Sequence, residues 1–143
     1  MKKISIFVSL LIVVGLLTAC GPAQEAVVEE AVDEAILTVG DAEYSQTDLE
    51  SLGTVSVDYT DKDGETTTYE GVLLADLLAD AGADDGATVT FTAADGFSSD
   101  VTMEEVLACT NCIVAFDGDS LRTVMPDFGG KQNVKDLIAI DVN

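Results

Sequence analysis

The chain is predicted to carry an α+β domain, a mixed β-sheet with short helices, over residues 36–143. Two observations predict this class. Segments in which apolar and polar residues alternate, as they do in strands with one buried face, outnumber segments with helical spacing. The helical segments are short and lie between strands, which favours helices packed on a sheet over a helical bundle.

The first half of the domain has a separate signal for each element. Val55, Val57 and Tyr59 alternate with polar residues, which is typical of a half-buried strand. Ser45 can cap a helix that has Asp48 at its third position. The predicted elements are a strand at residues 36–39, a helix from the cap at Ser45 through residue 52, strands at 54–60 and 66–69 joined by the turn 61–64, and an amphipathic helix at 72–81 that Gly82 can end.

The second half alternates strands and helices in the same way. Val89 and Phe91 share one face of a strand, and Asp95 with Gly96 is a two-residue turn signal. Thr102 precedes a short helix with Glu105 at the third helical position, which is the pattern of a capping box. The predicted elements are strands at residues 88–92, 97–101, 112–116, 121–125 and 137–142, a helix that ends at residue 108, and a loop at 126–130.

The N-terminal residues have the pattern of a bacterial lipoprotein signal. Lys2 and Lys3 precede an apolar run that is too short to span a bilayer comfortably and that ends in Leu-Thr-Ala before Cys20. A Cys at this place matches the lipobox, in which the thiol receives a lipid. We therefore expect a signal peptide at residues 1–19, a lipid on Cys20, and a location on the extracytoplasmic face of the cell membrane. The alternative is an uncleaved membrane anchor with an ordinary Cys20 thiol.

The very acidic composition of the chain limits the kinds of partner that it can bind. The chain has 27 acidic and 6 basic residues, for a net charge of −21, and loss of the two signal lysines would make it −23. Nucleic acid would be repelled, so we expect no nucleic-acid partner. The acidity is explained either by a solvated surface suited to high salt or by attraction to cations or a basic partner. Residues 20–35, which contain no basic residue, are predicted to form a flexible acidic tether after the lipidated Cys.

Five segments after residue 68 together resemble one known family. They are the helix segment 69–82 with the spacing G-x-x-L-x-x-L-L-x-x-A-G, the segment 94–98 with D-G-F-S, the apolar strand 113–118, the strand 121–126 with L-R-T-V-M-P, and the closing segment 129–137 with G-G-K-Q-N-V-K-D-L. In this order they resemble the sulfite-oxidase-type molybdopterin-binding domain. The resemblance implies a mixed α+β fold of the sulfite oxidase kind for the domain at 36–143.

The resemblance also implies where a ligand would bind. Arg122, Lys131 and Lys135 match positions of the segments that, in the family, face the phosphate of the molybdopterin cofactor. Arg offers a planar fork for an anion and Lys a point charge. These three residues are therefore the candidate cofactor-binding or anion-binding set. The alternative is that they form surface ion pairs with nearby aspartates.

Cys109 and Cys112 form a C-x-x-C motif between a predicted helix and a predicted strand. A haem attachment would need a following His, and a zinc or iron–sulfur site would need further ligands that the chain lacks. Outside the cytoplasm the expected state is a disulfide, which is either a structural staple or an exchanging redox pair.

The catalytic residues of the family are not matched. Its enzymes hold molybdenum through a Cys upstream of the D-G-Y-S hairpin, whereas this chain has no Cys between Cys20 and Asp95 and no His at all. We therefore expect a non-catalytic domain without a metal or a cofactor, which binds a small anionic ligand or an extracytoplasmic protein. The alternative is a redox protein that either binds a molybdopterin cofactor or uses the C-x-x-C pair in thiol–disulfide exchange.

Overall fold

Nine strands and three short helices occur in residues 33–143, the part of the chain that a computed structural model describes. The predicted signal peptide, Cys20 and most of the predicted tether lie outside these residues. The elements are β1 (Ala35–Val39), β2 (Ala42–Ser45), α1 (Gln46–Ser51), β3 (Val55–Thr60), β4 (Thr66–Leu73), α2 (Leu74–Asp80), β5 (Thr88–Ala93), β6 (Ser98–Thr102), α3 (Met103–Ala108), β7 (Ile113–Asp117), β8 (Ser120–Val124) and β9 (Leu137–Val142). None of these helices has the length and apolar character needed to cross a bilayer.

The strands form two sheets. One has five strands in the order β2-β1-β9-β5-β6, in which β1 and β9 run parallel and the other neighbours run antiparallel. The other is antiparallel and has four strands in the order β3-β4-β7-β8. The predicted α+β class with a mixed sheet is confirmed, and the predicted strands divide between two sheets.

The main core lies between the two sheets and is closed by the helices. It contains Phe91 and Ile140 from the five-stranded sheet, Val114 and Leu121 from the four-stranded sheet, and Leu77 from α2. Side chains on a strand alternate between faces, so Ile113 and Ala115 point to the opposite side of the four-stranded sheet from Val114. There they form a second apolar cluster with Val57 and Val124, flanked by Tyr59, Tyr69 and Leu73. The candidate functional site lies beside this second cluster.

One predicted boundary was clearly misplaced, and one strand was missed. The predicted helix at 72–81 begins at Leu74, because residues 71–73 pair with Ala115, Val114 and Ile113 and so extend β4. Strand β2 was not predicted at all. It is short and lacks clear alternation, and it exists because it pairs with β1 and buries Tyr44, whose hydroxyl donates a hydrogen bond to Asp80.

The predicted helix caps were correct. Ser45 and Thr102 both cap helices in complete capping boxes, with Asp48 and Glu105 as the returning carboxylates. The hydrogen bonds from the Ser45 side chain and backbone hold the pKa of Asp48 below its usual value, and Thr102 lowers the pKa of Glu105 in the same way. The caps are therefore weakest at acidic pH, where these carboxylates become protonated.

Candidate functional site

Arg122 is a buried cation on the edge strand β8 of the four-stranded sheet. In the strand register it lies beside Ala115 of β7, which in turn lies beside Gly71 of β4. Ala115 is small and leaves room on this face of the sheet, whereas Gly71 lets the β4 and β7 backbones approach, because a Cβ there would overlap the backbone of Val114. The Arg122 side chain extends across it towards β4, where its Nη1 donates a hydrogen bond to the Tyr69 hydroxyl at 2.7 Å. The side chain is only 7% exposed.

The guanidinium of Arg122 is only partly satisfied. Its second partner, Asp117, is 3.4 Å away and is 44% exposed, so this ion pair is weak. The guanidinium carbon is 4.6 Å from the centre of the Tyr69 ring and 6.0 Å from that of Tyr59, within the range of cation–π attraction. The Nε atom is buried and has no hydrogen-bond partner. A buried donor without a partner lowers the free energy of unfolding by on the order of 1–3 kcal/mol, so the Nε of Arg122 destabilises the domain.

A polar cleft of about 420 Å³ adjoins Arg122. Its cations are Arg122, Lys135 and Lys62, the last from the turn between β3 and β4. The remaining lining is Tyr59, Asp61, Asp63, Glu65, Thr67, Tyr69, Gly130 and Asn133. A volume of this order is suited to a small ligand.

Hydrogen bonds fix the segment that brings Lys135 to the cleft. Lys135 forms an isolated backbone bridge with Arg122. The Thr123 N–H donates to the Val134 carbonyl at 2.9 Å, and the Val134 N–H donates back to the Thr123 hydroxyl at 2.7 Å. Asn133 is buried and accepts from the Met125 N–H at 2.7 Å. The residues before β9 are therefore held against β8.

The cations of the cleft differ in their partners. Lys62 pairs with Asp63 at 2.7 Å, but both side chains are largely exposed and the pair contributes little. Among residues 33–143, no carboxylate lies within ion-pair distance of Lys131 or Lys135. The alternative was that the three predicted cations form surface ion pairs with nearby aspartates. Within residues 33–143 only Arg122 does so, through its weak contact with Asp117.

The predicted set of three cations is only partly brought together. Arg122 and Lys135 line one cleft, whereas Lys131 is exposed and lies outside its lining. Sequence reasoning missed Lys62 and the two tyrosines. The turn that contains Lys62 is far in sequence from Arg122 and Lys135. The only sequence signal for Lys62 was that it is one of the four cations after residue 19.

Cys109 and Cys112 form the predicted disulfide across the turn from α3 to β7. Cys112 is 1% exposed and its carbonyl accepts the Leu74 N–H at 2.9 Å, which ties the disulfide to the start of α2. Both cysteines of residues 33–143 are in this bond, so neither offers a thiolate to molybdenum. Nor do three His, Cys, Asp or Glu side chains in that range come close enough to hold a metal ion. The donor set described by the structure does not fit a thiolate-ligated molybdenum.

Comparison with known proteins supports the fold. No family model and no curated protein matches the chain. Among solved structures it is similar to the sulfane dehydrogenase SoxCD from Paracoccus pantotrophus, with a TM-score of 0.62 and 19% identity. The match covers 77% of this chain and 38% of that protein. At this identity the similarity shows a shared fold alone, and the α+β class with a mixed sheet that the sequence predicted agrees with it.

Proposed function

We propose that this protein is an exported lipoprotein, anchored to the extracytoplasmic face of the cell membrane through Cys20, whose domain binds a small anionic ligand without catalysis. The observation that carries the proposal is the buried, incompletely paired guanidinium of Arg122 beside a cleft. A carboxylate, phosphate or sulfur oxyanion is the class of ligand that this cleft would bind. Three of the four cations in residues 33–143 line this cleft, together with the carboxylates Asp61, Asp63 and Glu65.

The balance of interactions at Arg122 supports binding over a purely structural role. A guanidinium presents five N–H donors, and in this domain Nη1 alone donates to protein acceptors. An anion in the cleft would accept hydrogen bonds that Tyr69 and Asp117 leave unused. Lys135, without a carboxylate partner, would add a point charge. Charge-assisted pairs of this kind are roughly twice as strong as neutral hydrogen bonds.

The side chains that line the cleft support ligand binding without catalysis. The chain has no His to act as a general base near neutral pH. The cleft is lined by no Cys or Ser, so it offers no thiol or serine hydroxyl as a nucleophile. Two of its carboxylates have other partners, since Asp61 accepts the N–H groups of Asp63 and Glu65 in the hairpin turn and Asp63 pairs with Lys62.

Anion binding is tested by equilibrium dialysis of the full chain in lipid nanodiscs against phosphate, sulfate or acetate at constant ionic strength. We expect saturable binding of at least one of these anions. Arg122→Gln should weaken it by about tenfold or more, which corresponds to loss of one charge-assisted pair. Lys131→Gln removes the same charge from a residue outside the cleft and should change the affinity little. Equal losses in both variants would show that only net charge matters and would overturn the proposal.

Lipid attachment is tested separately in cells. The wild-type chain should incorporate labelled fatty acid and fractionate with membranes, whereas Cys20→Ser should carry no label. Labelled protein in the Cys20→Ser variant would overturn anchoring through this residue. The result does not depend on the ligand of the domain.

The redox alternative has one observation in its favour, the disulfide between Cys109 and Cys112. A bond that closes so short a loop stabilises the fold by only about 2 kcal/mol in the chain-entropy account. The reduction potential separates the roles, because a structural disulfide has a potential below about −300 mV and an exchanging one lies nearer −200 mV. We expect the lower value, since Cys112 is buried in the main core and Cys109 packs against it.

A further inference from the structure

A second cavity, of about 530 Å³, lies at the end of the domain where β1 begins. It is lined by residue 36, by the turns at residues 94–95 and 119–120, by residue 121, and by residues 136–138 at the start of β9. None of these residues lines the Arg122 cleft, so the two sites are separate.

The cavity lies where the first residues of β1 and β9 are irregularly paired. The parallel strands β1 and β9 are in register only at Thr38 with Ala139 and at Val39 with Ile140. Before these pairs the register shifts in β1 between Ala35 and Leu37, and in β9 where it passes Thr92 and Ala93 of β5. Ile36 is 38% exposed and Ile138 is 46% exposed. Large aliphatic side chains that are exposed and line the same concave surface are candidates for contact with a ligand.

The floor of the cavity is also apolar. Leu121 and Leu137 line it and are each only 2% exposed, so they belong to the main core. The backbone beside them is fixed, because the Ala94 N–H donates to the Asp136 carbonyl at 2.8 Å. Asp136 has a φ of 51°, and it is the one non-glycine residue of the described range in the left-handed region. The apolar surface therefore belongs to a rigid part of the fold.

Three carboxylates surround this apolar surface. Asp95, Asp119 and Asp136 line the cavity and are exposed, and no Lys or Arg is among its lining residues. In the described part of the chain none of the three pairs with a cation. In a chain with 27 acidic residues, three carboxylates by themselves would not indicate a binding site. Their position around an exposed aliphatic surface is what distinguishes this cavity.

We propose that this cavity binds an organic cation with an aliphatic body, such as an alkylammonium ion. The aliphatic part would cover Ile36 and Ile138, and the ammonium group would be attracted by the carboxylates of the lining. An anion would meet only negative charge here. A bare metal ion is disfavoured, because the carboxylates do not converge into a metal-ligand group. A neutral aliphatic ligand would gain from the floor but not from the carboxylates.

The test uses the full chain in zwitterionic lipid nanodiscs, with empty nanodiscs as the reference for partition into lipid. Saturation-transfer NMR would measure the affinities of butylamine, pentylamine and hexylamine, with hexanol and hexanoate as matched neutral and anionic probes. We expect the amine affinity to rise by up to about fourfold for each added methylene group. Hexanol should bind more weakly than hexylamine, and hexanoate should not bind.

Two triple variants distinguish the cavity from general attraction to an acidic surface. The variant Asp95→Asn, Asp119→Asn and Asp136→Asn should weaken hexylamine by roughly tenfold in total, since each exposed pair contributes at most about 1 kcal/mol. Asn keeps the size of Asp and tolerates the left-handed backbone at residue 136. The control variant Asp41→Asn, Asp84→Asn and Asp85→Asn removes the same charge from exposed residues outside the cavity and should bind as the wild type does.

The proposal is overturned by any of three results: no saturable binding of hexylamine, equal binding of hexanol and hexylamine, or equal weakening in the two triple variants. A folded Ile138→Ser variant with unchanged hexylamine affinity would also contradict it, because the aliphatic wall would then contribute nothing. None of these results bears on anion binding at Arg122.

Discussion

Replacement of Arg122 by Met tests whether this buried cation serves stability or binding. In the unliganded domain the variant loses the hydrogen bond to Tyr69, worth about 1.5–3 kcal/mol for a charged donor, and a cation–π contact worth about 1 kcal/mol. The contact with Asp117 adds at most about 1 kcal/mol, because that carboxylate is 44% exposed and remains hydrated without Arg122.

The gains in the variant are of the same size. Removal of the guanidinium relieves the unpartnered Nε, worth about 1–3 kcal/mol, and the desolvation of a buried charge, worth several kcal/mol. Met is linear, adaptable and apolar, and it can fill the same space beside the second apolar cluster. We therefore expect the free energy of unfolding of Arg122→Met to lie within about 1 kcal/mol of the wild type or above it.

The assay is urea unfolding at constant ionic strength, with and without phosphate, on the full chain in nanodiscs. If phosphate is the anion bound, it should stabilise the wild type by about 2.7 kcal/mol at a concentration of one hundred times its dissociation constant, and should not stabilise Arg122→Met. Lys131→Met, which loses the same charge from an exposed residue, should respond to phosphate as the wild type does. A loss of about 3 kcal/mol or more in unliganded Arg122→Met would refute the reasoning, because Arg122 would then be a structural residue.

Three further changes test the fold. Gly71→Ala should destabilise the domain by at least about 3 kcal/mol in thermal unfolding, because its Cβ would overlap the backbone of Val114; near-wild-type stability would show that β4 and β7 are not this close. Burial and the hydrogen bond to its carboxylate partner raise the pKa of Tyr44 to about 12, so the stability that its neutral phenol contributes is fully present below pH 10 and is lost between about pH 10 and 12. A Tyr44→Phe variant should lack that loss, and an unchanged pH profile in urea unfolding would contradict the assignment. Thr102→Ala should lower stability by about 1 kcal/mol at neutral pH and by less in acid, where the Glu105 carboxylate of the same cap is protonated; an equal loss at both pH values would argue against the capping box.

The sequence predicted those features of the fold that depend on near neighbours. The caps at Ser45 and Thr102 and the disulfide between Cys109 and Cys112 each involve residues three positions apart. Features set by distant partners were missed. Strand β2 is fixed by its pairing with β1, and residues 71–73 are strand because β7 lies beside them, although their leucine spacing continues a helical pattern.

In the candidate cleft, too, residues close together in sequence were identified and partners distant in sequence were missed. Arg122 was identified from its segment, but its partner Tyr69 is 53 residues away in sequence and is brought near by the β4-β7-β8 order. Lys131 and Lys135 are close in sequence, yet only Lys135 lines the cleft, because the bridge to β8 holds that residue at the sheet edge. The irregular pairing of β1 and β9 beside the second cavity has no sequence signal, because it results from a register established by the whole sheet.

The central proposal is that this α+β fold is used for binding and not for molybdenum redox chemistry. The most direct test is the molybdenum and pterin content of the full chain, purified from a host that makes the cofactor and exports it folded. We predict a folded protein with neither component in stoichiometric amount. One molybdenum and one pterin per chain would contradict the account and would make this protein a redox protein with a ligand set other than a Cys thiolate from residues 33–143.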